Sequence, residues 1–364
     1  RYKVFYLFLL TVPFFNIINL KFGNAIVQAF ILSFFCFTLL LFRTQHIRYG
    51  WFAPLLLIFI LIVCLLLSEL HSVINLGRSN IDSIRFFGLF IPVLLFYIIS
   101  YNPKVFAEKY LDKLLRYYIL VFSLSIMIDY FILHSALDIS LQLMYREEDW
   151  SYVTRPFGIT GQPSVNSVLL VFFYALLLSR GSFDKSKLFF LFMVIGVLLQ
   201  GSGSGFIALI ILLNMMFMSL NWLIRVFAYS FIFLLLLQLV QQFKFFNKIS
   251  LEYISRMIDV FMWQTNEWIT LVKKSEPIIS VLFGGVSSAI DFGPLYFISN
   301  VGLIYSIFFL ILIFMSFLKA KERYEKSAFL ILLVGSLHYP IMFYAIMVFV
   351  LPILLQKNLF PVKE

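Results

Sequence analysis

Charge is what this sequence has least of. Only 13% of its 364 residues are Asp, Glu, Lys or Arg, whereas 62% are hydrophobic. So small a polar supply cannot coat a water-facing surface, which excludes a soluble globular fold and leaves lipid as the solvent that suits most of the chain. Cysteine is nearly missing. The two present, Cys36 and Cys64, both fall inside apolar runs. A disulfide framework and a cysteine-metal site are thereby excluded, and both thiols read as small packing groups. The four histidines, His46, His71, His134 and His338, are scattered. No Asp-x-Asp, His-x-x-x-His or carboxylate cluster faces outward, so no metal and no cofactor is expected. No polar stretch is long enough for a separate soluble catalytic domain, and no repeat relates the two halves in the manner of an inverted-repeat transporter.

What the chain has instead is a succession of apolar runs, each near the twenty or so residues that cross a bilayer. Helical spans are expected over 3–20, 23–42, 51–68, 84–100, 116–137, 163–180, 187–200, 204–220, 226–243, 297–318, 327–337 and 341–356. The opening run lacks a small-residue cleavage site and reads as the first span. The expected fold class is an all-α polytopic membrane protein of about 12 transmembrane helices, one transmembrane domain over residues 1–364. A long outer-face loop, 244–296, is inserted between spans nine and ten. The net charge of +10 follows from orientation and calls for no nucleic acid. With both termini cytoplasmic, 18 of the 28 basic residues lie inside, and 12 of the 18 acids lie outside or, for Asp129, in the outer part of a span.

The outer connections carry the sequence complexity, and long ordered loops beside a rigid scaffold are where function concentrates. Before the fourth span, Arg78, Asp82 and Arg85 are spaced i, i+4 and i+7, one face of a helix. Two guanidinium forks flanking a carboxylate suit either an anionic group or an ion-paired helix end at the headgroup level. Before the sixth span, Arg155 opens the run Arg-Pro-Phe-Gly-Ile-Thr-Gly-Gln-Pro, whose two glycines and two prolines dictate a fixed tight turn. Asn166 just inside that span suits capping, sugar hydrogen bonding or helix packing. The acids Glu147, Glu148 and Asp149 read as a solvated rim.

In the long loop, Ile254, Met257, Ile258, Phe261, Thr265, Trp268 and Val272 share a helical stripe, with Glu252, Arg256, Asp259, Glu267, Thr270 and Lys274 largely opposite. That pattern predicts an amphipathic helix along the outer surface, with Arg256 either in an ion-pair network or available to a ligand. Phe283-Gly284-Gly285-Val286 and Asp291-Phe292-Gly293-Pro294 then punctuate the approach to the tenth span. Residues 201–205, Gly-Ser-Gly-Ser-Gly, permit close helix packing or close approach of main-chain N–H groups to an anion, but lack the Lys-Ser/Thr ending of a Walker loop. His338, in the Ser-Leu-His-Tyr-Pro turn at 336–340, and Asp291 are the candidate bases.

Taken together, the spans, the Arg-x-x-Gly turn at Arg155 to Gly158, the Ser/Gly element after the seventh span and the late outer loop resemble the O-antigen polymerase (Wzy) family. That loop's Phe283-Gly284-Gly285 through Asp291, with Gly302 in the next helix, belongs to the same likeness, which extends to the related O-antigen ligases of bacterial surface polysaccharide assembly. The resemblance implies a GT-C-like, metal-independent glycosyltransferase of the bacterial inner membrane. It would polymerise oligosaccharide repeat units carried on undecaprenyl pyrophosphate into O-antigen or capsule. Membrane lipid and a chain-length regulator protein are the further partners implied. Arg155 and Arg256, backed by Arg85 and Arg78, would contact the pyrophosphate, and His338 or Asp291 would serve as catalytic base. A ligase, or a lipid-linked oligosaccharide flippase or other transporter, is the alternative. A transporter wants charges through both leaflets, whereas here they cluster at helix ends.

Overall fold

The computed structural model describes residues 2–15, 52–76, 93–94, 110–134, 156–181, 186–218, 251–274, 277–286 and 292–359. Every element among them is helical: α1 (Tyr2–Thr11), running into a 3-10 turn at Val12–Phe14, α2 (Phe52–Leu76), α3 (Asp112–His134), α4 (Pro163–Leu178), α5 (Lys187–Gln200), α6 (Gly203–Met216), α7 (Leu251–Lys274), α8 (Pro277–Phe283), α9 (Gly293–Lys319), α10 (Arg323–His338) and α11 (Ala345–Leu359). The expected spans at 23–42 and 226–243 lie outside the described residues, as does all of 84–100 but Val93 and Leu94. Elsewhere a helix lies on each expected span, on its expected bounds at 187–200, whereas α2 runs eight residues past the expected end at 68, a 3-10 turn occupies Ile341–Phe343 before α11, and only residues up to 15 of the first span are described.

Local chemistry explains the helix ends. Proline opens α4 and sits in the first turn of α9, where a missing N–H costs nothing. Gly201, left-handed at φ 55°, closes α5 with its N–H on the carbonyls of Val197 and Leu198. Ser202 caps α6 by accepting from the Gly205 N–H. The small-residue connector thus shrinks to two residues, because the helix begins at Gly203.

Two helical stretches among the described residues are long and apolar enough to cross a bilayer: Asp112–Ile132 of α3 and the whole of α9. Their side chains divide accordingly. On α9, Tyr305, Phe309, Leu312, Ile313 and Ser316 are buried, while Ile307, Leu310, Ile311, Phe314, Met315 and Leu318 are exposed. A surface stripe with no polar member is one that water penalises and acyl chains cover.

The chain divides into two compact units. Unit 1 comprises Arg1–Tyr118, Glu267–Lys321 and Ser336–Glu364; unit 2 comprises Ile119–Asn266 and Glu322–Gly335. In unit 1, α9 packs on α2, α8 and α11, and α8 also meets α2. In unit 2, α4 is the centre, flanked by α5 and α6, and every residue from Ser164 to Leu178 is buried. Glycine sets those distances: a Cβ on Gly205 would lie 2.3 Å from Ser167 Cβ, and one on Gly196 2.6 Å from Leu170 Cδ1.

The amphipathic helix of the long loop forms, as α7. On the expected stripe Val272 is buried, and opposite it Asp259, Thr270 and Lys274 are exposed, as are Met262, Trp263 and Ile269, which lie off the stripe. Phe261 departs from the expectation, being on the stripe yet exposed, while Gln264 is buried.

Leu310→Arg tests the outward face of α9. It is expected to raise the insertion free energy of this segment by about 2.5–3.5 kcal/mol in a glycosylation-mapping assay, with Leu310→Ile unchanged.

Candidate functional site

The segment before α4 is built as a buried knot of main chain. Gly158 and Gly161 both adopt left-handed φ, 62° and 72°, and Gly161 N–H donates to the Gly158 carbonyl at 3.2 Å. Thr160 closes the C-terminal side, its hydroxyl accepting from Gln162 N–H at 3.2 Å. Glycine is required at 158 twice over: its φ disfavours any side chain, and a Cβ there would meet Asn166 Nδ2 at 2.6 Å.

Four side chains from three helices hold this turn. From α3, Asp129 accepts the Gly158 N–H at 2.7 Å and Ser125 Oγ accepts the Ile159 N–H at 3.2 Å. From α4, Asn166 donates through Nδ2 to the Phe157 carbonyl at 2.5 Å and accepts the Thr160 N–H at 3.3 Å. From α5, Gln200 Nε2 donates to the Pro156 carbonyl at 2.9 Å. Asp129, Asn166 and Gln200 have no exposed surface, and Phe157 and Ile159 are buried with them. Buried non-helical backbone is tolerated where protein supplies partners, and here the N–H groups of residues 158–162 and the carbonyls of Pro156, Phe157 and Gly158 are all engaged. Arg155, immediately before the turn, lies outside the described residues.

A second interruption lies in unit 1. Inside α9, Gly302 takes φ 82° and ψ 166°, which is not helical. The break frees carbonyls that the helix would otherwise satisfy, and they are capped from outside. Asn300 O accepts the Gly285 N–H at 3.2 Å and the Ser68 hydroxyl at 2.7 Å, while Ser299 O accepts the Val286 N–H at 2.9 Å. Ser306 Oγ donates to the Gly302 carbonyl at 2.7 Å. The contact is backbone on backbone: a Cβ on Gly302 would lie 2.3 Å from Leu282 O, and one on Gly284 would lie 2.4 Å from Gly302 N.

His71 of α2 seats this junction. Its Nδ1 lies 2.8 Å from the Gly284 carbonyl, and since a carbonyl only accepts, Nδ1 carries the proton. Nε2 is then the acceptor, 3.5 Å from Ser280 Oγ on α8. The imidazole is buried, oriented at both nitrogens, and held by the very Phe-Gly-Gly run that the sequence singled out.

Of the six site residues expected from sequence, Arg78, Arg85, Arg155 and Asp291 lie outside the described residues. Arg256 falls on α7, within a stretch whose side chains are not described. His338 ends α10 instead of lying in a turn, exposed, its ring edge-on to Tyr339 at 4.4 Å between centroids. Gly293, two positions after Asp291, abuts the same helix end: a Cβ there would lie 1.7 Å from Ser336 O. Sequence reading missed Ser125, His71 and Gln200 as site-builders. For Ser125 a signal was present, its i, i+4 spacing with Asp129 on an otherwise apolar span, which puts both on one face.

Asp129→Leu leaves the Gly158 N–H without its acceptor and is expected to lower stability in detergent by about 1–3 kcal/mol, read from the midpoint of thermal unfolding. Asp129→Asn keeps an acceptor and should lose less than half as much. Gly158→Ala is expected to cost about 1–2 kcal/mol from its φ alone, with the Asn166 clash in addition. No protein-family model, curated protein or solved structure matches this chain.

Proposed function

We propose that the chain is an integral membrane glycosyltransferase that polymerises undecaprenyl pyrophosphate-linked oligosaccharide repeat units on the outer face of the bacterial inner membrane. The observation that carries the reading is the buried turn at 156–162, clamped by Asp129, Ser125, Asn166 and Gln200 directly after Arg155. Main chain held at four points is ordered before any ligand arrives, and Arg155 is the residue that precedes it in the sequence.

The reaction needs that kind of group. When an acceptor hydroxyl attacks the anomeric carbon of the donor, the glycosidic bond to phosphate breaks and the departing lipid pyrophosphate gathers negative charge. Arginines at membrane depth stabilise that charge as it develops, in surroundings where water does not screen it. Arg155 holds this role, assisted by Arg256, Arg85 and Arg78. A base takes the acceptor proton, and His338 and Asp291 are the candidates. No nucleotide enters, because the donor already carries its leaving group.

A chain-elongation assay tests the reading. Purified protein in nanodiscs with an undecaprenyl pyrophosphate-linked repeat unit should yield a ladder of longer saccharides that survives chelator. Arg155→Ala should slow the ladder by about 100-fold or more while leaving the protein inserted, and Arg155→Lys should fall between, since lysine keeps the charge and loses the fork. A single transfer onto lipid A core would make the protein a ligase; unaltered substrate moved across the bilayer would make it a flippase.

A further inference from the structure

We infer that residues 277–286 form a re-entrant hairpin, which enters the leaflet from the side on which α9 begins and presents Ile278 and Ile279 to the acyl chains of the bilayer. For a helix in water, α8 is turned inside out. Its one polar side chain, Ser280, is buried 3.5 Å from His71 Nε2, whereas Ile278 is 76% exposed and Ile279 42%. Water penalises that arrangement, because the isoleucines stay wet while the hydroxyl is taken out of solvent. Lipid favours it, having no hydrogen bond to offer a hydroxyl and no objection to hydrocarbon.

The path of the chain makes the segment a hairpin. After α8, Gly284 and Gly285 take left-handed φ of 73° and 83°. Gly285 N–H then donates to Asn300 O and Val286 N–H to Ser299 O, at 3.2 and 2.9 Å. Successive residues thus meet successively earlier positions of α9, so beyond its contact with Gly302 the chain runs back toward the start of that helix. The reversal leaves no N–H open, since Gly284 donates to Ser280 O at 2.9 Å, and residues 284–286 are all buried. Irregular backbone at membrane depth requires that closure.

Two helices fix the level at which the reversal happens. On α9 no charged residue occurs from Gly293 to Leu318. Counting about twenty residues back from Lys319 sets the hydrocarbon edge near Ser299, and at a rise of about 1.5 Å per residue Gly302 lies about 5 Å inside it. On α2 the hairpin is met by Ser68, which donates to Asn300 O, and by His71, bonded to Gly284 O. Both lie within the apolar stretch Phe59–Ile74. The exposed side chains of α2 around that level are Leu66, Leu67, Leu70, Val73 and Ile74, so its surroundings there are hydrocarbon too. Lys273 and Lys274, exposed at the end of α7, close the polar side: four positions separate Lys274 from Ile278, and lysine stems of that length reach the headgroups.

Nitroxide accessibility in the full chain, reconstituted in phosphatidylethanolamine/phosphatidylglycerol liposomes, tests the hairpin. Labels are placed at Ile278→Cys and Ile279→Cys in a Cys36→Ala/Cys64→Ala background, with Lys273→Cys as the water reference and Leu310→Cys as the lipid reference. Collision with molecular oxygen, which concentrates in hydrocarbon, relative to a water-soluble nickel chelate should be several-fold higher at 278 and 279 than at 273, and close to that at 310. A ratio at 278 equal to that at 273 overturns the hairpin, as does poor access for both reagents, which would mean that protein covers the isoleucines. A water-like ratio at 310 removes the span of α9 and the hairpin with it. If the cysteine-free background does not fold, Ile278→p-benzoylphenylalanine in the otherwise native chain replaces it: light should attach phospholipid there as it does from position 310, and attachment at 310 alone overturns the inference. None of these outcomes depends on glycosyl transfer, which the elongation assay decides separately.

Discussion

Main-chain N–H and C=O groups that water does not reach must find partners inside the protein, and the architecture here is arranged around that requirement. Helices meet it automatically. At two places where the described backbone leaves the helical state, side chains and loops crowd in to compensate. At 156–162 the partners are Asp129, Ser125, Asn166 and Gln200. At Gly302 they are Ser68 and the backbone of Gly285 and Val286. Each orphaned group would cost about 1–3 kcal/mol, so neither break could persist as an accident of packing. An irregular segment that a structure supports this heavily is one whose shape is in use.

The two breaks are supported by different means. The turn before α4 is held by side chains reaching in from three helices, one of them a carboxylate, which gives the short 2.7 Å bond to Gly158. The break in α9 is held mostly by backbone meeting backbone, possible because Gly284 and Gly302 have no Cβ to keep the chains apart. In apolar surroundings helices gain nothing from hiding hydrocarbon from one another, and close van der Waals approach must do the work. The Gly205 contact with Ser167 and the Gly196 contact with Leu170 are the same solution between regular helices.

How much of this was legible in the sequence follows from the kind of signal each feature leaves. Helix positions were readable, because long apolar runs between polar connections have few alternatives, and α5 came out on its expected bounds. The tight turn at 156–162 was readable from its glycines and prolines. What held it was only partly so: Asp129 stood out as a buried acid and Asn166 as a polar residue inside a span, but nothing local joins either to Gly158. Gln200 left no mark, since one amide at the end of an apolar helix has no periodicity to violate. The pairing of His71 with Gly284 crosses more than two hundred residues. Such contacts are set by topology, which no window of sequence contains. On α7 the stripe was legible at Val272 and not at Phe261, which is exposed.

Asp129 shows how such a scaffold bears on chemistry. A carboxylate inside an apolar helix invites a reading as a proton carrier or a transport site, and in a span with paired acids across both leaflets that reading would be natural. Its short bond to a main-chain N–H points elsewhere. That bond joins α3 to the turn, and a carboxylate accepts it more strongly than a neutral group would. Catalysis by electrostatic stabilisation asks the opposite of a site: dipoles and charges fixed before the substrate arrives, so that no reorganisation is left for the transition state to bear. A turn anchored on α3, α4 and α5 together moves only if three helices move. The buried acid contributes to that anchoring by staying where it is.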